Sequence, residues 1–171
     1  MLYPDVVPAF EELRQIKDLA KQYPASPKLV VGVITNSDDR VPSVLSSLGI
    51  KVNPRRHGTP AQTLKSSEDG EDDVDFVVMS YDVGFEKPSR KIFDATRQVV
   101  YSGWGPKNQD DRYIHVGDDL EKDFKGAEQA WWESMLLDRE GTHAKHGAQG
   151  LQAVSSIKDL RELRSYIIPD N

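Results

Sequence analysis

Lys28-Leu29-Val30-Val31-Gly32-Val33-Ile34-Thr35-Asn36-Ser37-Asp38-Asp39 is the stretch whose reading decides the fold. Leu29 to Ile34 is an aliphatic run interrupted by one glycine, and it stops abruptly at a polar cluster. A strand with one wet face would alternate apolar and polar residues. An unbroken run reads instead as a strand buried on both faces, the kind found in parallel sheets. The polar residues that follow then sit at the carboxyl end of that strand, where open parallel sheets gather functional groups.

Working outward, residues 5–22 place Val6, Val7, Phe10, Leu13, Ile16, Leu19 and Ala20 at helical spacing, with Asp5 positioned to cap and Pro8 in the first turn. Tyr23 to Pro27 ends that helix. Downstream, Val41, Val44, Leu45 and Leu48 repeat at helical spacing, and Gly49 stands where a helix-terminating glycine belongs. The strand–loop–helix unit then recurs. Asp75–Ser80 and Arg112–Val116 read as strands, Ser89–Tyr101 and Leu120–Trp131 as helices, Met135–Asp138 as a short strand and Ile157–Ile167 as a terminal helix. This alternation predicts a doubly wound α/β sheet with helices on both faces, one domain over residues 1–171. Asn53 to Asp73, which ends in the acidic run Ser66 to Asp73, is expected to be a polar, flexible loop.

Composition bounds the function. The 171 residues carry 22 Lys plus Arg against 28 Asp plus Glu, a formal charge of −6, so a phosphate-tracking basic face for nucleic acid is not expected. The absence of cysteine excludes disulfides and thiolate chemistry. No run approaches the roughly 20 apolar residues of a membrane-spanning helix, and Met1 to Phe10 has no signal-peptide pattern. The expected location is therefore the cytoplasm or nucleus.

Three clusters fall after predicted strands: Thr35-Asn36-Ser37-Asp38-Asp39, then Glu86-Lys87-Pro88, then Gly117-Asp118-Asp119 with Asp123 one turn on. Hydroxyl and amide donors, a lysine and carboxylates on one rim suit a phosphoryl group and a hard cation such as Mg²⁺. Singly, each has a plainer reading. Thr35-Asn36-Ser37 serves equally well as a helix cap, and Lys87 as a solvated loop lysine. Three acids at one strand end repel unless a cation or a lysine compensates. His143 and His146 have metal-ligand spacing but no evident third ligand, and Trp131-Trp132 at a helix end reads as packing.

Taken in order, these residues resemble the motifs of the haloacid dehalogenase superfamily. The resemblance covers Thr35-Asn36, then Lys87 in Tyr81 to Pro88 with Ile92-Phe93 behind it, then His115-Val116-Gly117-Asp118-Asp119 with Asp123, and it runs over nearly the whole chain. The response-regulator receiver also uses Asp, Thr and Lys, but in a different order. The resemblance implies a Rossmann-like parallel sheet and hydrolysis of a small phosphorylated metabolite with Mg²⁺. It would make Thr35, Asn36, Lys87 and Asp123 the catalytic-site residues and Asp118 and Asp119 the metal ligands, with Asp123 orienting Lys87.

Two departures qualify that resemblance. The family's first strand ends in Asp-x-Asp, whose first carboxylate is the nucleophile, and a cap segment follows. Here no Asp-x-Asp ends a strand ahead of Thr35, the earlier acids being Asp5, Glu11, Glu12 and Asp18 in or beside a helix. The central, nucleophile-bearing strand of the sheet is therefore expected to be missing, with weak or absent Mg²⁺ binding and no turnover by this chain alone. Self-association through exposed strand edges follows as an expectation. The chain then reads as the C-terminal part of a hydrolase core, as a non-catalytic module derived from one, or as a gene-model fragment. Second, Trp131 stands where the family tends to have glycine.

Overall fold

The computed structural model describes residues 2–23, 28–60, 72–106, 111–142 and 154–168. In chain order, helix α1 (Val6–Gln22) leads into β1 (Gly32–Thr35) and α2 (Val41–Ser47). Next come β2 (Phe76–Met79), the single turn α3 (Ser80–Val83) and α4 (Arg90–Trp104). The last third holds β3 (Ile114–Gly117), a π-helical turn Leu120–Lys125 continuing into α5 (Gly126–Gln129), β4 (Glu133–Leu137), β5 (Ser156–Ile157) and, after a 3₁₀ turn, α6 (Leu163–Ile167). The expected α/β alternation is there, in two places with a different local form. The helix read over Leu120–Trp131 opens as a π-helical turn, with both the Asp123 and Phe124 N–H groups donating to Asp119 O. Ile157, read as the first residue of the last helix, instead forms with Ser156 a short strand pairing with Leu136–Leu137, because tertiary pairing outweighs the weak local preference of two residues.

The strands are all parallel but form two sheets. β1 pairs with β2, Gly32 opposite Phe76 through Thr35 opposite Met79, and β3 pairs with β4, which pairs with β5. Among the described residues β1 and β3 are not bonded to each other. β1–β2 and β3–β4–β5 are therefore separate sheets among the described residues. Packing explains the β1–β2 side: a Cβ at Gly32 would lie 2.0 Å from Phe76 Cζ, so the glycine is the space the Phe76 ring occupies.

Two apolar layers cover the sheets. On one face Ile92, Phe93 and Val99 of α4 pack with Phe76, Val78, Ala127, Ala130 and Trp132. On the other, Val6 and Phe10 of α1 join Val74, Val77, Met79 and Val33.

Two local expectations change. Asp5 makes no side-chain cap for α1. Its Oδ2 accepts Arg139 Nη1 at 2.6 Å and Leu160 N at 2.9 Å, tying the start of α1 to the far end of the chain. Residues 53–60 and 72–73, read as part of a flexible loop, are anchored: Val52 bridges to Val74 and Arg56 to Val77, and Asn53 and Asp73 are buried. Asp73 holds Arg14 and the Lys51 N–H, while Lys17 of α1 reaches Asp75 Oδ2 at 2.7 Å. A polar segment can be ordered when its charges are paired against a helix, a contact that composition does not reveal. Residues 61–71, like His143 and His146, lie outside the described residues. No described helix is long and apolar enough to cross a membrane.

Candidate functional site

Lys87 is the hub of the rim. Its ammonium donates to Ile34 O at 2.8 Å and to Asp123 Oδ1 at 2.6 Å, and its side chain is only 12% exposed. Asn36 sets the lysine's backbone from the other side, its Nδ2 donating to Lys87 O at 3.0 Å and its Oδ1 accepting Lys87 N–H at 2.7 Å. This paired contact excludes the plain cap reading of Asn36, since α2 begins five residues later with Arg40 at its N-cap. Ser37, beside it, accepts the Tyr81 N–H through its carbonyl, which fixes α3 against the end of β1.

Asp123 answers from the opposite sheet. Besides Lys87 it engages His115 Nε2 at 3.0 Å on the same Oδ1, and its Oδ2 accepts Asp119 N–H at 3.1 Å. Gly117 makes this possible, because a Cβ there would lie 2.2 Å from Asp123 Cγ. Burial pushes the Asp123 carboxyl up, but the hydrogen bonds from His115, Lys87 and Asp119 N–H and the Lys87 charge together hold it well below the usual carboxylate range. The lysine compensates the crowding of acids at the end of β3, one of the two possibilities the sequence left open. His115, buried and edge-on to Phe93, is the member of this cluster that sequence reasoning did not assign a role; its place inside His115-Val116-Gly117-Asp118 was the available signal.

The remaining assigned residues divide. Thr35 ends β1, half-buried, and its hydroxyl makes no hydrogen bond among the described residues. Asp118 is exposed just past β3, likewise with no hydrogen bond there. Asp119 caps the helical turn that follows: Oδ1 accepts Glu121 N–H at 3.0 Å and Lys122 N–H at 2.9 Å. The hydrogen bond from Lys122 N–H draws its carboxyl below the usual range, burial opposes this, and the Glu121 N–H adds to the lowering.

Mg²⁺ takes about six oxygen ligands in near-octahedral geometry. Asp118 could offer its carboxylate and Asp119 its Oδ2, but among the described residues no group of three or more His, Asp or Glu side chains gathers to hold a cation. The residues present do not complete a magnesium site by themselves.

No model of a known protein family matches the chain. A hydrolase of Schizosaccharomyces pombe is 31% identical over 129 residues, 75% of this chain and 48% of that protein. The Drosophila melanogaster rhythmically expressed gene 2 protein is 28% identical over 111 residues, 64% of this chain and 34% of that one. The chain thus spans about half the length, or less, of the curated relatives it matches. Among solved structures, a HAD phosphatase of Thermococcus onnurineus superposes with a TM-score of 0.64 at 22% identity, over 98% of this chain and 59% of its own. A magnesium-bound HAD-type hydrolase of Bacillus subtilis gives 0.61 at 15% identity, over 99% and 57%. The chain has the fold of the haloacid dehalogenase-like hydrolases.

Proposed function

We propose that this rim is a phosphoryl-binding site of the haloacid dehalogenase type, built for a small phosphorylated metabolite, and that this chain alone binds without turning over. The observation that carries the reading is the Lys87 bridge, which joins the end of β1 to Asp123 beside the end of β3. An ammonium has three protons, and two are engaged there, leaving one for an anionic oxygen. Thr35 adds a hydroxyl and Asn36 a backbone N–H at the end of the same strand, so a phosphoryl oxygen would meet neutral and charged donors together. Asp118, with Asp119 Oδ2, would contribute part of the coordination of a Mg²⁺ ion, which when bound would offset the phosphoryl charge.

Turnover is not expected because Asp118, a rim carboxylate without a hydrogen-bond partner among the described residues, stands as the metal ligand in this reading, and Asp123, Asp119 and Asp38 are committed elsewhere. Asp123 is saturated by three donors, Asp119 caps a helical turn, and Asp38 is held by Arg40. Covalent phosphoryl transfer needs an available, positioned carboxylate nucleophile. A second reading, a non-catalytic interaction module, is favoured by the division between the sheets.

The test is phosphorus NMR with inorganic phosphate, together with hydrolysis of p-nitrophenyl phosphate in the presence of Mg²⁺. Phosphate should bind in the millimolar range and lose most of its affinity in Thr35→Ala, with no hydrolysis above buffer. Equal phosphate binding by Thr35→Ala would end the site assignment, and turnover lost in Asp118→Asn would end the claim of inactivity.

A further inference from the structure

Three side chains meet at a single oxygen. Asp123 Oδ1 receives Lys87 Nζ at 2.6 Å and His115 Nε2 at 3.0 Å, and none of the three side chains is more than 12% exposed. A carboxylate oxygen has two lone pairs, so these two donors fill it. The other oxygen, Oδ2, is held by the Asp119 N–H at 3.1 Å. These hydrogen bonds and the lysine's charge hold the Asp123 carboxyl well below the usual range, which keeps it ionised and purely an acceptor. His115 Nε2 therefore carries a hydrogen whether the ring is neutral or charged, and Nδ1 is the atom that gains or loses the second proton.

The three differ in what supports them. Lys87 stands in the loop before α4 and Asp123 in the π-helical turn, whereas His115 is the second residue of β3, opposite Ser134 of β4. Phe93 of α4 meets its ring edge-on, the centroids 5.3 Å apart. Neither Phe93 nor Ser134 is charged. The charges this cluster presents to the ring are Asp123 directly and Lys87 through it. An apolar side chain would fill the place beside Phe93 without the desolvation cost of an imidazole. What the imidazole adds is a hydrogen bond to Asp123 given from a strand, a more precise support than a loop.

We propose that His115 is a positioning residue of the anion-binding rim: through Asp123 it fixes the place of the Lys87 ammonium and sets how much of the lysine's charge is left for a bound phosphoryl group. The inference rests on the phosphoryl reading for its ligand. With the ring neutral, Lys87 and Asp123 balance each other and the trio presents no net charge to an anion. With a second proton on Nδ1, two cations share one carboxylate and the trio carries one positive charge. Anion affinity then follows the protonation of His115 and rises as pH falls.

The experiment measures sulfate binding to the 171-residue chain by titration calorimetry between about pH 5 and pH 8, the range in which histidine changes charge. Sulfate replaces phosphate because its double negative charge is constant over that range. Affinity should rise about fivefold or more towards the acid end, the Coulomb gain of one added charge near a dianion. His115→Gln, which keeps an N–H donor and does not titrate, should bind as the unsubstituted chain does at the alkaline end, with a flat profile. His115→Phe, which keeps a ring and loses the donor, should bind more weakly than either at every pH. Where a variant does not fold, the unsubstituted chain suffices. By linkage, saturating sulfate should move the midpoint of the His115 ring resonances, identified in NMR by their contact with Phe93, upward by about 0.7 or more in pH. A flat profile in the unsubstituted chain, an equally steep one in His115→Gln, or a His115 midpoint unmoved by sulfate would overturn the proposal and leave the phosphoryl reading intact. Sulfate binding that is absent, or indifferent to Thr35→Ala, would overturn both.

Discussion

Gly117 and Asp123 compete for one volume: a Cβ on the glycine would lie 2.2 Å from Asp123 Cγ and 2.3 Å from its Oδ2. The Asp123 carboxyl thus lies against the backbone at the end of β3, where it meets Lys87, His115 and Asp119 N–H. Gly117→Ala should cost about 2 kcal/mol, as overpacking of a closely fitted site does, and push Asp123 off Lys87. Urea unfolding measures the first effect. Combined with Asp123→Ser, which makes room for the added methyl, the loss should be smaller than the sum of the two single losses, and full additivity would show that the clash is not the cause.

Asp123→Asn removes the charge from a buried pair and leaves the Lys87 ammonium, 12% exposed, opposite a neutral amide. Breaking a buried pair from one side costs about 3–5 kcal/mol. A drop in stability under about 1 kcal/mol by urea titration would mean that the pair is better hydrated than its burial indicates.

The pH dependence carries a definite sign. Because the folded Asp123 carboxyl titrates below its unfolded value near 3.9, its stabilising contribution is complete above about pH 4 and is lost as pH falls through the folded value. Asp75 runs the other way: burial raises its carboxyl despite the bonds from Lys17 and Val31 N–H, so protonation relieves part of its cost in acid. Thermal melting points between pH 6 and pH 2 should therefore fall, less steeply in Asp123→Asn and more steeply in Asp75→Asn.

Trp131 has φ of 61° and is 81% exposed. It occupies the left-handed region at the end of α5, which costs an L-residue about 1–2 kcal/mol and glycine almost nothing. Little apolar contact is lost with so exposed a ring. Trp131→Gly should raise stability by about 0.5–1 kcal/mol net of the added freedom of the unfolded chain. Calorimetric melting of the two forms side by side is the check, and a lowered melting point would indicate that the indole packs more than its exposure suggests.

Titration calorimetry should give Mg²⁺ affinity in the millimolar range or weaker, since Asp118 and Asp119 Oδ2 leave most of an octahedral shell to water. Micromolar affinity abolished by Asp118→Asn would reveal a complete site.

What the sequence determined by itself was whatever depends on local pattern. The aliphatic run Leu29 to Ile34 identified a parallel strand, and the alternation of strands and helices around it pointed to the fold that the solved neighbours share. These were legible because burial on both faces and strand-end chemistry are written in consecutive residues. The tertiary structure alone decided which groups meet. Asn36 holds Lys87 across 51 positions, Asp5 serves Leu160 across 155 instead of capping its own helix, and Asp73 is buried against Arg14 across 59. Lys87 also turned from a loop lysine into the bridge between two sheets, and the sheets stayed apart. The physical reason is that a polar side chain has many near-equal local partners, and the choice among them is made only when the apolar layers of α1 and α4 close and exclude water from all but one.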